Sequence, residues 1–337
     1  MGSDSWKDAL LSSGLPFEND VARYLDEKEC ITGFESTYLR PDENKLQRQF
    51  SFDIHASYVK PPNFVTLMVE CKYRHPTVKW VFIPREYGGH DELYPNTFLH
   101  TQDDFAPDTF PFGGSFPRQL APACSKGIEL TSNGPNQKSI AQAVAQLTYA
   151  FGQQVTDSIE HQVLPLLPER LLFHVVPIIA TTAPLFRLKE DITLEAIRGA
   201  DSLATLTTAE SCVVLRHTPG VELIEHNARA FDRLYREHKK ELMAAYTRSS
   251  QDVATRLSIM SQVDCPGAIV VISVAHGWDA FDRFFEYVKE VLNPSDALWG
   301  EIRAEHEKFK KITETIERAA RERKAKGEVD YPGKQGG

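Results

Sequence analysis

The chain has 337 residues, 42% hydrophobic and 25% charged, the composition of a water-soluble folded protein long enough for a large core or for two domains. Its net charge is -9, so any nucleic-acid contact needs a locally basic cleft against an acidic background. The longest strongly apolar run, Gly267 to Ala275, is too short to span a bilayer; no basic segment followed by an apolar stretch opens the chain, and five scattered cysteines without a CxxC pair point to a reducing, cytoplasmic setting.

In chain order, a first helix is expected from Pro16, with Glu18 and Asp20 at the positive end of its dipole and Phe17, Val21, Tyr24 and Leu25 on its apolar stripe. Gln47 to Val59 alternates as a strand. The spacing puts Phe50, Phe52, Ile54 and Ala56 on one face and Ser51, Asp53 and His55 on the other. Pro61-Pro62-Asn63 makes a turn into a second, largely buried strand from Phe64 to Tyr73, giving a β-hairpin. A short run, Val78 to Ile83, extends the sheet.

Pro84 to Pro135 is rich in proline, glycine and aromatics, which disfavours long regular elements and suggests an ordered insertion packed on the core, or a lid. Gln137 to Val155 reads as a helix, with Ile140, Ala143, Val144, Leu147 and Phe151 forming its stripe and Gln142, Gln146, Tyr149 and Gln153 opposite. Leu171 to Thr181 is a strand interrupted or edged at Pro177; Ser211 to Arg216 and Ala268 to Ala275 are further strands. Val221 to Gln262, Asp279 to Leu292 and the charged segment Glu301 to Lys326 have helical character, and Pro332 to Gly337 is a frayed tail. The expected class is α/β, a mixed β-sheet flanked by helices, divided as a core over 1–185 with an insertion at 84–136, an α/β extension over 186–300 on the same sheet, and a charged helix and tail over 301–337.

The chemistry concentrates on the hairpin. Residues two apart in a strand share a face, so Glu70 and Lys72 stand side by side, and antiparallel pairing brings Asp53 next to them. Two carboxylates and an ammonium on strands of buried character need mutual neutralisation or a cation, and hard oxygen ligands favour Mg²⁺ or Mn²⁺. A lone D…ExK pattern is weak; here it lies on two predicted strands at hairpin spacing after a Glu-bearing helix. Just beyond, Lys72, Arg74, His75, Lys79 and Arg85 interleave with Tyr73, Trp80 and Tyr87, a pattern that suits phosphates and stacked bases or an ordinary strand end. No GxGxxG, Walker A, HExxH or GxSxG motif is present.

Phe52-Asp53 followed by Glu70-Cys71-Lys72 resembles the signature of the PD-(D/E)XK nuclease superfamily, with Phe52 in place of the name-giving proline. The resemblance covers roughly the first half of the chain and implies a restriction-endonuclease-like core with a long insertion and a C-terminal α/β elaboration. It implies a Mg²⁺-dependent endonuclease hydrolysing phosphodiesters, DNA being favoured over RNA, in defence or restriction. Asp53, Glu70 and the Cys71 backbone carbonyl would hold the metal, Lys72 would act on the attacking water, and Glu18 would match the acid of the first helix. Gln142, Gln146 and His55 are accessory candidates, and Arg74, Lys79 and Arg85 are candidates for nucleic-acid contact. A homodimer, and a partner protein of a larger system, belong to the same expectation. The alternatives are a catalytically inert or conditional module of the same fold that binds nucleic acid or protein, and an RNA-directed nuclease.

Overall fold

The computed structural model describes residues 5–41, 46–84, 98–105, 118–164, 171–246, 252–263 and 266–304, with positions 307, 308, 311, 315 and 318. Two helices open the described chain, α1 (Ser5–Ser12) and α2 (Leu15–Glu27). Pro16 lies in the first turn of α2, where its missing N–H costs nothing, and Phe17, Val21, Tyr24 and Leu25 are buried as their spacing predicts. Tyr24 stacks on Trp278 with ring centroids 4.5 Å apart and donates to Asp282 at 2.7 Å, tying α2 to the helix Asp279–Leu292.

The strands are β1 (Cys30–Pro41), β2 (Gln47–Lys60), β3 (Asn63–Lys72), β4 (Lys79–Pro84), β5 (His100–Gln102), β6 (Ala123–Thr131), β7 (Gly134–Asn136), β8 (Leu172–Thr181), β9 (Leu185–Leu188), β10 (Thr207–Glu210), β11 (Cys212–Arg216) and β12 (Ala268–Ser273). The remaining helices are α3 (Lys138–Val163), α4 (Leu194–Gly199), α5 (Leu203–Leu206), α6 (Val221–Ala245), α7 (Val253–Val263) and α8 (Asp279–Leu292), and residues 296–304 are also helical. None of the described helices is long and apolar enough to cross a membrane.

Among the described residues the strands form one mixed sheet in the order β1-β2-β3-β8-β12-β11-β6-β4-β9-β10, with β5 added to β8 and β7 to β6. The protein is therefore α/β, with helices on both faces. One face packs Leu25 of α2 and Phe281, Phe284 and Phe285 of α8; the other packs Leu147 and Phe151 of α3, Phe231 of α6 and Leu257 of α7. β11 and β12 stand between β8 and β6, so strands from before and after residue 185 interleave.

The hairpin β2–β3 and strands β8, β11 and β12 lie where the alternation predicts. Several expectations need correction. Pro177 is neither an interruption nor at an edge, since β8 pairs with β3 along its whole length. On its other side β8 takes β5 at Phe173–Val175 and β12 from Ile178 onward, and Pro177 occupies the gap between them, where a missing N–H is tolerated. β4 extends the sheet as expected, at a place away from the hairpin, between β6 and β9. The Pro84–Pro135 stretch supplies β6, a nine-residue interior strand, and buries Phe98 and Phe105. Tyr87, Tyr94, Phe110, Phe112 and Phe116, Arg85 and most of the charged segment after Glu301 lie outside the described residues.

Candidate active site

The antiparallel ladder between β2 and β3 ends at the Ile54↔Val69 pair. Beyond that pair the strands splay, and the Asp53 carboxylate takes over: its Oδ2 accepts the Cys71 backbone N–H at 2.7 Å. In an extended strand the N–H and C=O of one residue face the same edge, so the Cys71 carbonyl also faces Asp53. Glu70, whose side chain is 1% exposed, pairs directly with the Lys72 ammonium. On Lys72 Nζ converges Gln146 of α3, its Oε1 accepting at 3.3 Å while its Nε2 donates to the Ser51 carbonyl at 3.3 Å. The expected trio is thus gathered, and one glutamine of the candidate pair joins it. Gln142, one turn earlier on α3, is exposed.

The splay has a local cause. On β2, Phe52 belongs to the core on the α3 face, with Phe50 packed against it, whereas Ile54 and Ala56 belong to the core on the α2 face. The simple alternation that put all four on one face is therefore wrong at this step. Strand β1 reverses at the same level, Cys30 lying in one core and Tyr38 in the other. Between the pairs Phe34↔Ile54 and Ser36↔Phe52 lie Glu35 and Asp53, and Glu35 has φ 54, a left-handed conformation uncommon for a non-glycine residue. The β1–β2 ribbon turns over at these two acids. Consequently His55 does not accompany Asp53: its ring bonds Gln154 and feels the Asp157 charge, farther along α3, and burial holds its pKa below the ordinary histidine value.

The electrostatics show a shortage of positive charge. Burial and then the Asp53 charge push the Glu70 carboxyl up to about 7, against Lys72. Burial also raises Asp53, although the Cys71 N–H and Lys72 oppose it. Glu18, half-buried on α2, is raised by burial and then by Asp53. Glu35 adds to the repulsion on both Asp53 and Glu18. It escaped the sequence reading because β1 was not expected as a strand; its signal was an acid in a run of strand-forming residues just before the motif. Glu70 Oε2 is buried with no hydrogen-bond partner.

A buried carboxylate oxygen with nothing to accept from is a position that a cation satisfies. No group of three or more His, Cys, Asp or Glu side chains suited to a metal ion occurs among the described residues. A cation at this place would rest on two carboxylates, a backbone carbonyl and water, which fits Mg²⁺, an ion that keeps several waters and takes one or two carboxylates, better than Zn²⁺.

The basic residues after the motif divide. Arg74 is the hub of an internal network. Its guanidinium pairs with Glu129 and Ser139 and donates to the Tyr73 carbonyl at 2.7 Å, while Trp80 and Asn136 also donate to Glu129, at 3.0 and 2.9 Å. Lys79 is exposed, its ammonium 5.9 Å from the Phe186 ring centroid. Compared with protein-family models, curated proteins and solved structures, the chain matches none.

Proposed function

We propose that this chain is a Mg²⁺- or Mn²⁺-dependent endonuclease of the PD-(D/E)XK kind that hydrolyses phosphodiester bonds in DNA. The observation that carries the reading is the meeting of Asp53, Glu70 and Lys72 where the β2–β3 ladder ends, with Gln146 on the Lys72 ammonium. Asp53 and Glu70, with the Cys71 carbonyl, would hold the divalent ion. When bound, such an ion offsets charge on the phosphate and acidifies a coordinated water.

The chain's own residues account for the rest. Lys72 places its side-chain nitrogen beside the carboxylates, suited to stabilising negative charge as it develops on the phosphoryl oxygens and to holding the attacking water. Gln146 fixes the Lys72 ammonium from the helix side and is a positioning residue. Glu18, at the rim on α2, is suited to orienting water. Hydrolysis forms a bond from water oxygen to phosphorus and breaks the bond to the 3′ oxygen, leaving a 5′-phosphate and a 3′-hydroxyl. Cutting both strands of a duplex calls for two such sites, which a homodimer supplies.

Plasmid DNA incubated with the protein and Mg²⁺ or Mn²⁺, beside Asp53→Ala and Lys72→Ala, tests the reading. Cleavage by the parent protein, its suppression by chelator and its loss in both variants are expected. Activity that survives both substitutions overturns the site. Binding without cutting that is indifferent to Glu70→Gln identifies instead an inert binding module.

A further inference from the structure

A nucleic-acid strand cut at one phosphate has to be held at its neighbours, and the basic residues after the motif do not supply that contact. Arg74 is taken up by Glu129 and Ser139, and Lys79 stands on β4, away from the hairpin. A different arginine borders the site. Arg40, near the end of β1, is half-buried, with its guanidinium carbon 3.9 Å from the Phe50 ring centroid and 4.9 Å from that of Tyr149. The two rings draw on its charge and leave its N–H donors unmatched. Among the described residues no carboxylate and no hydrogen-bond acceptor meets Arg40, whereas Arg74, Arg118, Arg187 and Arg256 each pair with an acid.

Its place follows from the elements around it. Phe50 precedes Ser51, whose carbonyl accepts from Gln146, and Gln146 is at the same time on Lys72. Tyr149 follows Gln146 on the neighbouring turn of α3, about 4.5 Å farther along the helix axis. Arg40 therefore borders the gap between β2 and α3 about one helical turn from the Gln146–Lys72 contact. Its charge is felt around it. Burial, and then the Arg229 and Arg40 charges, hold the His226 ring below the ordinary histidine value, although that ring bonds the Tyr149 carbonyl at 3.0 Å. At the buried Tyr38 hydroxyl, burial acts first, and Arg40 then acts more strongly than Glu70. The site thus has an acidic end at Asp53 and Glu70 and a basic end at Arg40.

We propose that Arg40 is the phosphate anchor of this site: the scissile phosphate of a DNA strand lies at Asp53, Glu70 and Lys72, and the Arg40 guanidinium, steadied by Phe50 and Tyr149, takes a neighbouring phosphate of the same strand. The inference rests on the nuclease reading for its substrate and names a residue which that reading does not use. A guanidinium presents parallel N–H groups to two phosphate oxygens at once, and ring contacts that already restrain it reduce the freedom lost when the strand arrives. A backbone contact is blind to base identity, so Arg40 sets affinity and register and leaves sequence choice to other residues.

Fluorescence anisotropy of a labelled DNA duplex in Ca²⁺, with the absence of cutting checked on a gel, and Mg²⁺-dependent cleavage of the same duplex test the proposal on the parent, Arg40→Gln and Arg40→Lys. Arg40→Gln weakens binding about tenfold and lowers the slope of log affinity against log salt by about 0.9, the signature of one lost phosphate contact, which a purely structural arginine does not produce. It raises KM by about the same factor with kcat unchanged. Arg40→Lys keeps the charge, so it keeps the salt slope and recovers part of the affinity. Equal affinity and salt slope in the parent and a folded Arg40→Gln overturn the anchor, and the nuclease reading stands if both are still cut by way of Asp53 and Lys72. Should Arg40→Gln unfold, Arg40→Lys decides, and unchanged affinity there overturns the anchor. A duplex bound through Arg40 and never cut overturns the nuclease reading and leaves the anchor in a binding module. A duplex neither bound nor cut by the parent overturns both.

Discussion

Asp53 Oδ2 accepts the Cys71 backbone N–H at 2.7 Å, one step past the last ladder pair of β2 and β3. A side chain has replaced a strand partner. This keeps Cys71 satisfied while the strands separate, and it brings the Asp53 charge up to Glu70 on the neighbouring strand. The hydrogen bond and the charge of Asp53 are separable, which makes the arrangement testable.

Asp53→Asn retains an acceptor for Cys71 and removes the like-charge repulsion on Glu70. In chelator the variant should melt at or above the parent's temperature. A saturating divalent cation should stabilise the parent by about 2.7 kcal/mol at a hundredfold excess over Kd and leave the variant unmoved. Thermal melts with and without Mn²⁺ decide the matter, and an unchanged Mn²⁺ shift in the variant removes Asp53 from the ligand set.

Lys72 is the ammonium against an almost fully buried Glu70. Lys72→Met should cost about 3 kcal/mol in urea unfolding, because a buried charge is left without its partner. Adding Glu70→Gln should restore most of that loss, since the pair is then replaced by neutral side chains. A cost below about 0.5 kcal/mol for Lys72→Met, the scale of a surface change, shows that the pair is not coupled.

Arg74 presents a planar fork to Glu129, Ser139 and the Tyr73 carbonyl at once. Lysine cannot serve three acceptors in that geometry. Arg74→Lys should therefore lower stability by about 2 kcal/mol or more, as expected when a buried charge-assisted hydrogen bond is lost. If Arg74 instead serves as a phosphate contact, the lysine variant keeps both its melting temperature and its nucleic-acid affinity.

His174 is fully buried on β8, its ring within 2.9 Å of the Thr101 hydroxyl and 3.0 Å of Asn63 Oδ1, and burial pushes its pKa down to about 3. Above pH 6.5 the ring is neutral in both folded and unfolded chains and contributes no pH dependence. Below 6.5 only the unfolded chain takes up the proton, so stability falls as pH drops toward 3. At pH 5 the loss from this residue is about 2 kcal/mol. Denaturation midpoints between pH 7.5 and 5 should fall less steeply in His174→Gln than in the parent, whatever the variant's stability at neutral pH. Parallel curves contradict the neutral buried ring.

Much of the fold is readable from short stretches of chain. The hairpin around Pro61-Pro62-Asn63, the strands at Leu172–Thr181, Cys212–Arg216 and Ala268–Ser273, and the helix Asp279–Leu292 follow from periodicity and turn chemistry, which act over a few residues. So does the placing of Glu70 and Lys72 on one side of one strand.

Other features depend on residues far apart in sequence. Strand β1 is hidden because its alternation breaks at Glu35, where the ribbon turns over, and the same event moves Phe52 and Ile54 into different cores. Pro177 is acceptable inside β8 only because β5 and β12 divide that edge between them. Arg74 has its counter-charge 55 positions away at Glu129, and Gln146 reaches Lys72 across 74 positions by the packing of α3 on the sheet. Local sequence determines which residues form a strand or helix and which side chains share its face while the backbone stays regular. Where the backbone turns over, and which distant donor meets each acceptor, is decided by the packing of whole elements, because those contacts form only once the chain has closed on itself.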